Sequence, residues 1–239
     1  MHTTTEICTA PQGSQQWLAD RAGVITASKF KLTRERIKSG PNKGNYKAEA
    51  LKYIDQLAFE RLTGEVLDDN KYETPYMTRG KELESDARQA HELKIGTMVE
   101  EAGFIRTTDR RFGVSVDGFI RGDGGAEYKC FVAPDKVANI LIYDDVSEVI
   151  DQVQGGMWLT GLNWWHYGLY HPALSSLGID IKLIEMERDD DYIEELESDL
   201  IAFDKCVEAR VDEMHEAINK LVRLKFPTVS KPKVAANYF

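Results

Sequence analysis

The stretch Gly-Val-Ser-Val-Asp-Gly-Phe-Ile-Arg-Gly-Asp-Gly-Gly-Ala-Glu-Tyr-Lys-Cys, from Gly113 to Cys130, constrains this chain more than any other. Two strand-like runs, one ending at Asp117-Gly118 and one over 126–131, flank a glycine-rich turn at 122–125. A hairpin of this kind brings Asp117 close to the second strand. There Glu127 and Lys129, two residues apart, project from one face. Two carboxylates with one cation beside them suit a hard divalent ion, which takes oxygen ligands, keeps waters and binds substrate phosphate. Such an ion polarises phosphoryl oxygens and ionises an attacking water, while Lys129 can position that water or offset charge growing on the phosphate. The same three residues also suit a surface hairpin with an ordinary cross-strand charge pair. The chemistry therefore needs support from elsewhere in the chain.

The segment resembles the PD-(D/E)XK nuclease motif, with Asp117 as the first acid and Glu127-Tyr128-Lys129 as Glu-x-Lys. More narrowly, the chain resembles the lambda-exonuclease, or YqaJ-type viral recombinase, family. The resemblance extends to Gly-Val-Ile-Thr-Ala-Ser at 23–28, Arg-Gly-Lys-Glu-Leu-Glu-Ser-Asp-Ala-Arg at 79–88, Ser-Val-Asp-Gly at 115–118 and Gln-Val-Gln-Gly-Gly-Met-Trp at 152–158. These blocks keep the family's order as far as about residue 190. The resemblance implies that Asp117 and Glu127 hold metal with the Tyr128 carbonyl, that Glu84 assists, and that Lys129 and Gln154 act at the same centre. It also implies a pocket for the DNA 5′ phosphate built from Arg21, Ser28 and Ser115. A further family Arg falls where this chain reads Pro134-Asp135-Lys136, leaving Lys136 as a point charge in place of a bidentate fork.

Read without that resemblance, Arg21 is an arginine packed on Trp17 and Ser28 a helix cap. Glu84 is one end of a solvated pair with Arg88. Trp158, Trp164, Trp165, Tyr167 and Tyr170 are core in a helix and the strand after it, although aromatics can also stack on bases. His91, His166, His171 and His215 show neither mutual spacing nor a partner. The run Asp189-Asp190-Asp191 complements a helix N-terminus.

The 239 residues suit a single nuclease domain: a loose lead-in over 1–13, a final helix over 190–226 and an extended tail over 227–239. Amphipathic spacing predicts a helix from Tyr46 to Leu62 with Leu51, Ile54, Ala58 and Leu62 inward, and one from Arg79 to Lys94 with Leu83, Ala87, Ala90 and Leu93 inward. Strands follow at 103–107, 112–120 and 126–131, then helices at 134–142 and 147–159, strands at 163–170 and 179–187, and the final helix. Between the first helices, 36–45 reads as a mobile basic loop. This order predicts an α/β sandwich with a mixed central sheet flanked by helices, which matches the PD-(D/E)XK restriction-endonuclease-like core that the resemblance implies.

Forty acidic against thirty basic residues, a net charge of −10, argue against a general nucleic-acid coat but not against an enzyme with a local basic track. Residues 29–52 supply such a track. Three scattered cysteines suggest no disulfide framework, and no apolar run or charged-then-apolar leader marks a membrane or secreted protein. The expected location is the cytoplasm of a bacterial host.

The whole reading predicts a Mg²⁺-dependent exonuclease, with Mn²⁺ able to substitute. It would digest one strand of double-stranded DNA from a free 5′ end to mononucleotides. By resemblance it works as a ring-shaped homotrimer with a single-strand annealing protein in phage-type recombination. Alternatives are a PD-(D/E)XK endonuclease or junction resolvase, and an inactive module that binds DNA ends or the annealing protein.

Overall fold

The computed structural model describes residues 4–67, 75–131 and 133–225. The chain begins with β1 (Thr5–Cys8), α1 (Gln15–Arg21), β2 (Ile25–Thr26), a 3₁₀ turn over Ala27–Lys29, and α2 (Phe30–Arg34). Two longer helices follow, α3 (Ala48–Thr63) and α4 (Pro75–Ile95). Next come β3 (Val99–Glu100), β4 (Phe104–Thr107), β5 (Phe112–Ser115), β6 (Gly118–Ile120) and β7 (Gly124–Lys129). The remainder is α5 (Pro134–Tyr143), α6 (Ile150–Thr160), β8 (Trp164–Leu169), α7 (Pro172–Ser175), β9 (Lys182–Glu187) and α8 (Asp190–Lys225).

The strands form a four-stranded sheet in the order β1-β4-β5-β2 and a five-stranded sheet in the order β3-β6-β7-β8-β9. Pairs β2–β5 and β7–β8 are parallel and the others antiparallel, so both sheets are mixed, and helices flank them. Parallel pairing of β7 with β8 requires a long crossover, which α5 and α6 provide.

The expected strand over 112–120 is two strands in different sheets, and Asp117 lies where the chain crosses between them. Val114 and Val116 are buried while Ser115 and Asp117 are half-buried, so the period-two alternation runs through the break. Side-chain pattern therefore cannot reveal it; only the change of hydrogen-bonding partner does. The turn is also shorter than expected. Arg121 and Gly122 turn the chain at φ of 54° and 80°, and Gly124 already opens β7. Gly124 and Gly125 are strand residues whose missing side chains leave room for the rings of Trp164 and Trp165.

Strand alternation then divides two cores. Ala126 and Tyr128 pack with Ile120, Ile181 and Ala87 of α4. On the other face Trp165, Tyr167 and Leu169 join Val153 and Met157 of α6 and Leu196 and Phe203 of α8. Helix α6 is buried on nearly every side, as a helix clasped between sheet and helix must be.

Four local expectations are corrected. The lead-in contains β1, paired along its length with β4. In α3 the buried apolar residues are Ala50, Tyr53, Ile54, Leu57 and Ala58, leaving Leu51 exposed, because α8 packs on a rotated stripe. In α4 Leu93 is 80% exposed and His91 is fully buried. The basic stretch after α2 is closed by a bridge between Arg36 and Tyr46, with the Arg36 guanidinium 3.6 Å over the Tyr46 ring. The tail beginning at Pro227 lies outside the described residues. Among the described residues no helix is long and apolar enough to cross a membrane.

Candidate active site

Asp117 accepts a hydrogen bond from the Tyr128 backbone N–H at 2.7 Å, which ties the start of β6 to the end of β7. Glu127, buried on β7, accepts from the Lys129 ammonium two residues on. Lys129 also donates to Gln152 Oε1 of α6 at 3.3 Å. Glu84 approaches from α4, 3.4 Å from Arg88, which is itself paired with Glu101.

Their electrostatics are those of crowded acids. Burial raises the Asp117 carboxyl well above its ordinary range, and the charges of Glu127 and Glu84 raise it further. Glu84 is raised by burial, with Glu127 and Glu101 adding to the shift against Arg88. For Lys129 burial acts to lower the pKa, but Glu127 and Asp117 outweigh it and hold the ammonium above its usual value. Carboxylates that resist ionising together are stabilised by a cation placed among them.

No three His, Cys, Asp or Glu side chains among the described residues form a ready-made cation cage. The donor set nevertheless fits a hard divalent ion. Asp117 and Glu127 are oxygen donors with the Tyr128 carbonyl between them in the chain, and Glu84 adds negative charge. Mg²⁺ characteristically uses one or two carboxylates and completes its shell with water and phosphate.

Arg21 lies beside this centre. Helix α1 is capped by Ser14, whose Oγ accepts from Trp17 N at 3.2 Å, and Arg21 is its last residue. Gly23 then turns the chain at φ +71°, held by its N–H to Glu60 Oε2 at 2.9 Å and its carbonyl to Arg61 Nε at 2.9 Å. Arg21 donates to Ser115 Oγ at 2.8 Å and lies 4.4 Å over the Trp17 ring and 5.1 Å over Phe104. It has no carboxylate within ion-pair distance among the described residues, and burial lowers its pKa. Ser115 is two residues before Asp117, about 7 Å along an extended chain. The parallel pairing of Thr26 with Gly113 carries the exposed Ser28 toward that same end, its Oγ 3.4 Å from Thr26 Oγ1.

Two candidates are placed elsewhere. Gln154 donates to the Glu187 carbonyl at 2.8 Å and accepts from Asp189 N at 3.0 Å, fastening the start of α8. Residues two apart on a helix point about 200° apart, so one glutamine of Gln-Val-Gln faces Lys129 and the other turns away. The residue facing Lys129 is Gln152. Lys136 is 3.4 Å from Glu148 and 5.1 Å over the Phe131 ring, and Lys31 meets the same Glu148 at 3.3 Å. A local ion pair thus occupies its charge.

The histidine reading is also corrected. His91 Nδ1 is 2.8 Å from the Tyr128 hydroxyl, and Nε2 is 2.8 Å from His166 Nδ1. His166 Nε2 lies 3.3 Å from Glu185. Because Glu185 only accepts, neutral rings allow one direction: Tyr128 donates to His91, His91 to His166, and His166 to Glu185. The histidines are 75 positions apart, so no local spacing could reveal the pair.

The profile of the YqaJ-like viral recombinase domain matches residues 16–163, more than half of the chain, a span that includes Arg21, Glu84, Ser115, Asp117, Glu127 and Lys129. The chain belongs to this family. Among solved structures, an alkaline exonuclease (LHK-Exo) from Laribacter hongkongensis is 29% identical at a TM-score of 0.74, covering 87% of this chain and 100% of its own. The same exonuclease in complex with dAMP matches at a TM-score of 0.75 with the same identity and coverage. A phage related exonuclease from Haemophilus somnus 129PT, 17% identical, covers 80% of this chain and 96% of its own at a TM-score of 0.58, a likeness of fold. No match was found among curated proteins.

Proposed function

We propose that this family member is a divalent-metal-dependent exonuclease that removes mononucleotides from the 5′ end of double-stranded DNA. One observation carries the reading. Asp117 of the Asp117–Glu127–Lys129 cluster stands two residues along the chain from Ser115, to which Arg21 donates, a cation with no carboxylate at ion-pair distance among the described residues. An acidic centre thus adjoins an anion pocket, an arrangement suited to a substrate with a terminal phosphate next to a scissile phosphodiester. The relation to an exonuclease solved with dAMP, a deoxynucleoside monophosphate, supports the same product class.

Asp117, Glu127 and the Tyr128 carbonyl would hold Mg²⁺ or Mn²⁺, with Glu84 adding charge. When bound, the ion supplies Lewis-acid polarisation of the phosphate and a more acidic water. The side chains supply the rest. Lys129 keeps its proton and presents positive charge where the phosphate gains negative charge, with Glu127 and Gln152 fixing the ammonium. Tyr128 N–H fixes Asp117. Water attacks the phosphorus, the P–O3′ bond breaks, and the released nucleotide keeps the 5′ phosphate gripped by Arg21, Ser115 and Ser28. Each turnover leaves a new 5′ phosphate on the DNA.

Homotrimer formation, an annealing-protein partner and a single-domain organisation belong to this proposal through the family. Incubation with Mg²⁺ and either linear or nicked-circular duplex tests the reaction. Mononucleotides from linear DNA alone are expected; cleaved circles would mean an endonuclease, and no product a binding module. Linear duplex with a 5′ phosphate should be digested about ten-fold faster than the 5′-hydroxyl form, since a charge-assisted hydrogen bond is worth roughly 1.5–3 kcal/mol. Arg21→Ala should shrink that ratio and leave the metal requirement unchanged. An equal ratio in both proteins would remove the basis for 5′ polarity.

A further inference from the structure

The segment that joins Arg21 to Ser28 is held from behind by one helix. Gly23 donates its N–H to Glu60 Oε2 at 2.9 Å, and Thr26 donates its N–H to the Tyr53 hydroxyl at 3.3 Å. Tyr53 and Glu60 are seven residues apart on α3, two turns, which places them on one face about 10 Å from each other. From Gly23 to Thr26 an extended chain also spans about 10 Å, so the two grips match the ends of the segment. Arg21 precedes the first grip by two residues, and Ser28 follows the second by two.

Glu60 is 3% exposed, and both its oxygens are occupied: Oε1 accepts from Gln56 Nε2 at 2.8 Å and from Leu67 N at 3.2 Å. No cation pairs with it among the described residues. Burying a carboxylate without a counter-ion is costly, and a neutral side chain could accept the Gly23 N–H with a smaller penalty. A carboxylate adds stronger, charge-assisted bonds and a negative charge behind Arg21. Burial lowers the Arg21 pKa, and Tyr53 and Glu60 act against it. The charge of Glu60 thus supports the guanidinium without occupying its donors.

The other contacts leave this frame little slack. Arg61 donates from Nε to the Gly23 carbonyl at 2.9 Å, and its guanidinium is anchored at 2.6 Å to Asp204, fully buried on α8. A methyl group on Gly23 would stand 2.6 Å from Arg61 Cγ. At the far end the Tyr53 ring stacks on Phe203 at 6.0 Å, and Thr26 Oγ1 lies 3.4 Å from Ser28 Oγ.

We propose that Tyr53 and Glu60 are positioning residues that set the preference for a phosphorylated 5′ end, because α3 fixes the spacing between Arg21 and Ser28. The inference rests on the 5′-phosphate pocket proposed above. Neither residue touches the DNA; each acts through the backbone of the segment it holds.

The test uses binding rather than turnover. Short blunt DNA duplexes with either a 5′ phosphate or a 5′ hydroxyl are titrated with protein in the absence of metal. The ratio of the two dissociation constants is read for wild type, Glu60→Ala and Tyr53→Phe, beside the urea midpoint of each protein. Tyr53→Phe keeps the ring on Phe203 and removes only the acceptor for Thr26, so it decides the matter even where Glu60→Ala does not fold. Wild type should bind the phosphorylated end about ten-fold more tightly. In each variant the ratio should fall to about three-fold or less, through weaker binding of the phosphorylated end alone. A general loosening of the fold would weaken both duplexes alike. A variant that loses stability and keeps the wild-type ratio, or weakens both duplexes equally, would make the clamp structural and overturn the proposal. Equal binding of the two duplexes by wild type would remove the phosphate pocket first, and this inference with it.

Discussion

Asp117, Glu127 and Lys129 lie close together, and the proposed function gives each an expected signature. Asp117→Asn, Glu127→Gln and Lys129→Ala should each reduce nuclease activity by at least about a thousand-fold, as loss of a central electrostatic group does. Near-wild-type digestion by Asp117→Asn would sink the site. Stability should move the other way. The folded carboxyl of Asp117 is raised, so the folded state holds a proton that the unfolded chain has released. Metal-free wild type should therefore lose stability as pH rises above about 4 through the raised folded value. Asp117→Asn should flatten that slope in metal-free thermal unfolding measured against pH. The two glutamines separate similarly. Gln152→Leu leaves the fold intact but frees Lys129, lowering kcat about ten-fold, the worth of a hydrogen bond to a charged group. Gln154→Leu strips partners from two backbone groups and should cost roughly 1–3 kcal/mol of stability. Comparing kcat with the urea midpoint for both variants distinguishes the roles, and a kcat loss confined to Gln154→Leu would reverse them.

At the scale of elements, β7 is the axis of the site, and its neighbours are arranged to hold it still. One face contributes Glu127 and Lys129 toward α6. The other contributes Tyr128, whose hydroxyl is fixed by the His91–His166–Glu185 chain. Burial, then His166 and Lys94, lower His91 to about 4. A histidine depressed in the fold contributes stability that is present above its unfolded value of about 6.5 and lost as pH falls toward the folded value. The difference amounts to at most about 3 kcal/mol. His91→Phe should remove this share of acid sensitivity between about pH 6.5 and 4, at some cost near neutrality from the broken chain. The measurement is the wild-type-minus-variant difference in unfolding free energy against pH. A difference that stays flat across that window would mean His91 titrates normally.

For the whole molecule, the net charge of −10 and the acidic α8 leave DNA engagement to local cations rather than to an overall basic field. A family-type ring predicts a particle of about 81 kDa, three times 27.1 kDa, in light scattering coupled to size exclusion at micromolar concentration. A monomer at that concentration would remove the basis for threading DNA through a ring.

Much of this protein was legible in its residues, because strand alternation, helix periodicity and the Asp…Glu-x-Lys spacing are local properties. They placed β7, β8, α5 and α8 within a few residues and marked Asp117, Glu127 and Lys129 as one chemical group. What remained hidden depends on which surfaces meet. The break between β5 and β6 leaves alternation untouched and changes only the pairing partner. The buried His91 is polar, so hydropathy favoured the exposed Leu93, and its partner lies 75 residues away. The choice of Gln152 over Gln154 depends on the rotation of α6 about its axis, which Gly155 and Gly156 set by admitting Phe30 and Trp165 against the helix. Local pattern determines what each segment is; tertiary packing decides which atoms face the site, since burial and long-range pairing are satisfied by the folded chain as a whole.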